Sequence, residues 1–155
     1  MASRLPTAMS SGGVMAINAD RYSVDTSVAV AALDAGHAAH AICLRAVREH
    51  RPGLAGHAAF ETFSVLTRMP GALSIDAPTA HDIISRVFPQ VYWLEADAGN
   101  SLRDRLGTVG IGGGAVYDAL VGEAARTNHT VLLTRDQRAR RTYDLLGVDY
   151  ELLGQ

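Results

Sequence analysis

Thr130-Val131-Leu132-Leu133-Thr134-Arg135-Asp136 is the stretch that decides the fold. Its β-branched and aliphatic residues leave no polar face, so the strand they form must be covered on both sides, as a central strand of a parallel sheet is. The acid that follows, Asp136, falls just past the carboxyl end of that strand. Working outward, Arg21-Tyr22-Ser23-Val24 reads as a second strand, and it too runs into an acid, Asp25.

Strand and helix patterns alternate along the rest of the chain. The spacing predicts helical segments near 28–33 and 37–50, separated at Gly36, the second carrying Ala41, Leu44 and Val47 on one face. Leu54-Ala55-Gly56 reads as a short strand feeding a helix from His57 to Met69, which stops at Pro70-Gly71. Asp76 with Pro78 opens another helix ending near Phe88-Pro89. A strand from Val91 to Leu94 follows, then a helix over 97–106, a glycine run, and a helix from Ala115 to Asn128. The strand at Thr130 to Thr134, a helix to Leu146 and a strand near Asp149 to Leu152 complete the pattern. Such alternation predicts an α/β fold in which a mostly parallel sheet lies between two layers of helices.

With 155 residues, 48% hydrophobic and 19% charged, the chain can bury one core, so a single domain over 20–155 is expected. Residues 1–19 read as a loose, flexible extension, with Met15 as an alternative start; they lack the continuous apolar segment of a secretion signal. No transmembrane segment is visible. The lone cysteine, Cys43, has no internal disulfide partner and lies in a helical run, which fits a buried thiol in a reducing cytoplasm. All fourteen basic residues are arginine. A Walker-type phosphate loop needs a lysine, so Gly110-Ile111-Gly112-Gly113-Gly114 reads as a lead-in to the next helix instead. The net charge of -2 argues against broad coating of nucleic acid, though not against a local basic rim.

Four acids stand out: Asp25, Glu61, Asp118 and Asp136. Around them a packing pattern calls for Val, Leu or Ala. Glu61 has Ala58, Ser64 and Val65 as same-face neighbours, and Asp118 has Ala115, Val121, Gly122 and Ala125. Taken singly, Asp25 or Asp136 suits a helix cap, and Asp118 a first-turn partner of the helix dipole. Together, four acids in nearly buried settings repel one another, so they either protonate or share a divalent cation. In a parallel sheet the crevice lies beyond the carboxyl ends of the strands, and all four acids fall toward that edge.

Other polar residues read more plainly. His57 is a helix-start residue sharing the Glu61 face. Asp97 with Asn100 reads as a cap, and Arg103-Asp104-Arg105 as a solvated face. Arg135, Arg138, Arg140 and Arg141 form the densest basic patch; Arg135 and Arg138 are the candidates for gripping phosphates. Tyr92 and Trp93, in a predicted strand, read as core.

Four segments carry a resemblance that covers the chain from about Tyr22 to Leu152: Val24-Asp25-Thr26-Ser27-Val28, Phe60-Glu61-Thr62-Phe63-Ser64-Val65-Leu66-Thr67-Arg68, Tyr117-Asp118-Ala119-Leu120-Val121 and Leu132-Leu133-Thr134-Arg135-Asp136. In order and spacing they resemble PIN-domain ribonucleases, most closely the VapC toxins of bacterial toxin-antitoxin pairs. That resemblance implies a PIN-like three-layer sandwich and an Mg²⁺- or Mn²⁺-dependent endoribonuclease that inhibits translation and growth. It implies that Asp25, Glu61 and Asp118 hold the metal, with Asp136 a fourth acid and Ser27 and Thr134 orienting ligands or waters behind them. One or two metals would activate a water and stabilise the leaving oxygen. A cognate VapB-type antitoxin, an RNA substrate and a homodimer built through the helices at 37–50 and 57–69 are implied as well. Carboxylates without cysteine or histidine suit a hard cation better than zinc.

Two rival readings remain. Asp25-Thr26-Ser27 after a strand suits a haloacid-dehalogenase-like phosphohydrolase, but the second aspartate two positions on and the lysine are missing. A non-catalytic PIN-like binding module would have no reason to keep four mutually repelling acids.

Overall fold

Residues 20–71 and 74–154 are described by a computed structural model; the expected extension over 1–19 lies outside them. Five strands form one sheet in the order β3-β2-β1-β4-β5: β1 (Arg21–Val24), β2 (Gly53–Ala55), β3 (Val91–Tyr92), β4 (Thr130–Thr134) and β5 (Tyr150–Leu152). Every pairing is parallel. In the register of the two central strands, Val24 sits beside Leu133 and Ser23 beside Leu132.

The doubly apolar reading of β4 holds. Leu132 and Leu133 are both fully buried yet serve different cores, because successive strand side chains point to opposite faces. Leu133 packs with Val24, Leu54, Val28, Leu66 and Phe88, beneath α1 (Thr26–Leu33), α2 (His40–His50), α3 (Ala58–Arg68) and α4 (Ala77–Val87). On the other face Leu132 packs with Ala55, Leu102, Ala119 and Tyr143, beneath α5 (Ala96–Val109), α6 (Ala115–Thr127) and α7 (Arg140–Leu146), the last preceded by a 3-10 turn at Gln137–Ala139. The expected three-layer α/β sandwich is therefore present.

Several boundaries moved for local reasons. Helix α1 starts at Thr26 because the Asp25 carboxylate accepts the Val28 N–H at 3.2 Å. Helix α5 runs past the expected 106 to Val109 and stops at Gly110, whose φ of 73° is a left-handed C-terminal cap. It starts after Glu95, so Asp97 lies in its first turn and is not the cap expected of it. In α2 the buried face is Cys43, Ala46 and Val47, whereas Ala41 is exposed. Strand β3 ends at Tyr92, and Trp93, expected in the core, is 47% exposed.

Two close approaches hold the layers in register. A Cβ at Gly53 would sit 2.6 Å from a Tyr92 ring carbon and 2.8 Å from the Gln90 carbonyl, so only glycine lets β2 and β3 meet this way. Gly122 likewise lets α6 lie against the Tyr143 ring. Sequence patterning missed Glu123. It is buried at 1% exposure in α6 and takes Arg126 at 2.6 Å and Arg105 at 3.1 Å, so Arg105 ties α5 to α6 and does not simply face solvent.

Candidate active site

Strand order reverses at the β1–β4 pair, since β2 and β3 extend the sheet to one side and β5 to the other. At such a switch point the connections leave in opposite directions and open a crevice beyond the carboxyl ends. Asp25 follows β1 and Asp136 follows β4, so both acids stand at its floor. Glu61 comes from the first turn of α3 and Asp118 from the first turn of α6, one from each helical layer.

Asp25 is the only fully buried member, at 5% exposure. Its Oδ1 accepts the Ser27 hydroxyl at 2.6 Å, and its Oδ2 accepts the Thr134 hydroxyl and, at 3.4 Å, the Tyr143 hydroxyl. Those hydroxyls are themselves fixed. The Arg135 N–H donates to Ser27 Oγ at 2.9 Å and the Asp136 N–H donates to Thr134 Oγ1 at 3.0 Å. Each hydroxyl thus accepts a hydrogen bond from a backbone N–H and donates one to Asp25, locking the end of β4 to the start of α1. Burial pushes the Asp25 carboxyl above the ordinary carboxylate range, and the hydrogen bonds from Ser27, Thr134 and Val28 pull against it. Burial also pushes the Tyr143 phenol up, which keeps it a neutral donor.

Asp118 has no such support. Its carboxyl is pushed up to about 6, first by burial and then by Asp136, Glu61 and Asp25, with no hydrogen bond among the described residues to lower it. Three acids acting on a fourth means that all four share one field. Glu61 is oriented by the Thr26 hydroxyl, which donates to Oε2 at 2.8 Å, while His57 Nε2 lies 3.6 Å from Oε1. Asp136 accepts the Arg138 N–H at 2.9 Å and caps the 3-10 turn.

The expectation of four nearly buried acids needs correcting. Asp118 and Asp136 are half-buried and the Glu61 side chain is 38% exposed, because the first turns of α3 and α6 stand at the crevice rim. Nor do the acids close on one point: among the described residues no three of the His, Cys, Asp and Glu side chains form a group ready to hold a metal ion. The donor set still suits a hard cation. It offers carboxylate and hydroxyl oxygens, and two of its acids sit at raised pKa values that a positive charge would relieve.

Beside the acids lies a cleft of about 610 Å³ lined by Thr26, Glu61, Ser64, Val65, Arg68 and Tyr117. Of the expected phosphate-gripping arginines, Arg138 is exposed, whereas Arg135 is half-buried and its Nε is enclosed with no hydrogen-bond partner among the described residues. Thr26 and Tyr143 were given no role from sequence. A Tyr at a core-facing position needs a partner for its hydroxyl, which is the one signal that could have flagged Tyr143.

The chain matches the family model of the PIN domain over residues 22–145. It is 41% identical over 125 residues to ribonuclease VapC27 of Mycobacterium tuberculosis, covering 81% of this chain and 91% of that one. It is also 41% identical over 130 residues to ribonuclease VapC40 of the same organism, covering 83% and 96%. Among solved structures it resembles Mycobacterium tuberculosis VapC20, a Sarcin-Ricin loop cleaving toxin, with a TM-score of 0.58 and 23% identity over 78% of this chain and 94% of that one. It also resembles VapBC2 from Rickettsia felis, solved bound to a DNA fragment from their promoter, with a TM-score of 0.60 and 16% identity over 86% and 98%. At those identities the two structures speak to the fold alone.

Proposed function

The chain belongs to the PIN-domain family and, within it, to the VapC ribonucleases, and we propose on that premise that its crevice acids cut RNA with the help of a divalent metal. Asp25, Glu61 and Asp118 hold the metal in this reading, and Asp136 joins them directly or through water. The observation that carries it is Asp118: a half-buried carboxyl raised to about 6 by burial and by three other acids drawn from separate parts of the chain. A helix cap or dipole partner has no need of that crowding.

When bound, Mg²⁺ or Mn²⁺ supplies an activated water at neutral pH and charge neutralisation at the phosphate. The chain's own residues do the rest. Ser27 and Thr134 hold the Asp25 oxygens in one orientation, Thr26 aims Glu61, and the buried Tyr143 hydroxyl is a further donor to Asp25. Near neutral pH Asp118 is mostly ionised, ready to bind the cation. Arg138, exposed beside Asp136, suits an RNA phosphate.

The setting is that of a toxin paired with a VapB-type antitoxin, inhibiting translation and growth, with a homodimer formed through α2 and α3. No described helix is long and apolar enough to cross a membrane; a cytoplasmic location accompanies the toxin reading. Residues 20–155 act as one PIN domain in it.

The test is cleavage of a mixed RNA pool by purified protein with Mg²⁺, Mn²⁺ or chelator, alongside Asp118→Asn. Cleavage that needs the metal and is lost in the folded variant is expected. Retained cleavage by the variant rejects the role of Asp118, and hydrolysis of small phosphomonoesters without RNA cleavage would point back to the phosphohydrolase.

A further inference from the structure

Four rings touch in succession beside the acids. Tyr117, next to Asp118, stacks on His57 with centroids 5.4 Å apart and planes 24° apart. His57 meets Phe60 at 6.4 Å, and Phe60 meets Trp93 at 5.6 Å. Tyr117, Phe60 and Trp93 are 54%, 63% and 47% exposed, more open aromatic surface than a folded domain leaves contiguous without a use. Core packing explains none of the three.

We propose that Tyr117, His57, Phe60 and Trp93 form a stacking track that seats the bases of a single-stranded RNA segment as it leaves the carboxylates. This rests on the ribonuclease reading and adds to it where the strand lies and how it is gripped. Three features favour RNA as the occupant. The track begins at the acids themselves: His57 Nε2 lies 3.6 Å from Glu61 Oε1, and Tyr117 and Glu61 line the same cleft. Exposed Arg68 lines the same cleft, has no carboxylate partner among the described residues and suits a phosphate. A succession of flat, partly open rings suits single-stranded nucleic acid, whose every base offers a π-face, so such a track tolerates many sequences. The Trp93 main chain is anchored, its backbone carbonyl accepting the Asn128 side-chain amide at 2.9 Å. Beyond Phe60 and Trp93 lies an apolar recess of about 520 Å³, also lined by Phe63, Ile84 and Phe88. A protein segment resting there, an antitoxin's or that of a second copy packed through α3, would use the same two rings, and it is the competing outcome.

Trp93 is the chain's sole tryptophan, so its emission reports directly on the outer end of the track. The experiment titrates Asp118→Asn protein, in Mg²⁺, with a short mixed-sequence oligoribonucleotide, single-stranded or annealed to its complement, and follows both Trp93 emission and oligonucleotide anisotropy. Saturable quenching by the single strand and not by the duplex is expected. Phe60→Ala, at an exposed position that folding does not need, should weaken binding by about five- to a hundredfold, with Phe60→Tyr restoring it. Wild-type cleavage of the same single strand is measured in parallel. Binding by anisotropy without quenching, or Phe60→Ala and Trp93→Ala proteins that cleave with unchanged KM, overturns the track and leaves the nuclease standing. Quenching without wild-type cleavage keeps the track and removes the nuclease. Neither cleavage nor binding removes both, and leaves the rings to a protein partner.

Discussion

Replacing Asp118 by asparagine should make the metal-free protein more stable while destroying its activity. The carboxyl is raised from 3.8 to about 6, so the folded state prefers it protonated. A group raised in this direction contributes stability that is fully present below its unfolded value and is lost as pH rises through the folded one. Between about pH 4 and 6 the wild-type protein therefore loses stability that the Asp118→Asn variant, with no proton to release there, keeps. At neutral pH the whole penalty applies. At about 1.4 kcal/mol per pH unit, that displacement corresponds to at most about 3 kcal/mol. Solvent screening at a half-buried rim position reduces it to roughly 1–2 kcal/mol. For a chain of this size that corresponds to a gain of about 2–8 °C in Tm. The assay is thermal unfolding followed by circular dichroism, with chelator, at neutral pH and near pH 4. Asp118→Asn should melt higher at neutral pH, the gap should close in acid, and Mg²⁺ should raise the wild-type Tm more than the variant's. A variant that melts below wild type in chelator at neutral pH would refute the reasoning, since Asp118 would then be supported within the fold.

Thr134→Val removes a donor to Asp25 and the acceptor of the Asp136 N–H at nearly constant volume. Urea unfolding should show a loss of about 1–3 kcal/mol, and cleavage should fall by about 10–100-fold. Gly53→Ala drives a Cβ into the Gln90 carbonyl and the Tyr92 ring, neither of which can yield without shifting β3; a loss of about 1–3 kcal/mol is expected in the same assay. The Glu123 cluster should respond asymmetrically. Removing both Arg105 and Arg126 strands a buried carboxylate and should cost about 3–5 kcal/mol, whereas Glu123→Gln leaves only two partly exposed arginines and should cost less.

The parallel sheet was legible because Leu132 and Leu133 are adjacent and both apolar, which only a strand covered on both faces tolerates. Asp25 and Asp136 could be placed for the same reason, each following a strand that could be recognised. Glu61 and Asp118 were legible as misfits on packing stripes, but their half-exposed setting was not, since periodicity gives the face of a helix and not its distance from the rim. Hidden altogether were contacts between residues far apart in the chain. Thr26 reaches Glu61 across 35 positions, and Tyr143 reaches Asp25 across 118. Trp93 was misplaced because an aromatic after Val91-Tyr92 continues a strand pattern that the chain itself breaks one residue earlier. Glu123 escaped notice because a carboxylate in an otherwise apolar helix is interpretable only once Arg105 is seen beside it.

The most direct measurement is the anomalous scattering of a crystal of the protein soaked in Mn²⁺. A peak within coordination distance of Asp25 and Asp118 oxygens, with Glu61 or Asp136 completing the shell, is the expected result. Manganese bound only elsewhere, with the four carboxylates still spread as they are without it, would contradict a metal-using active site.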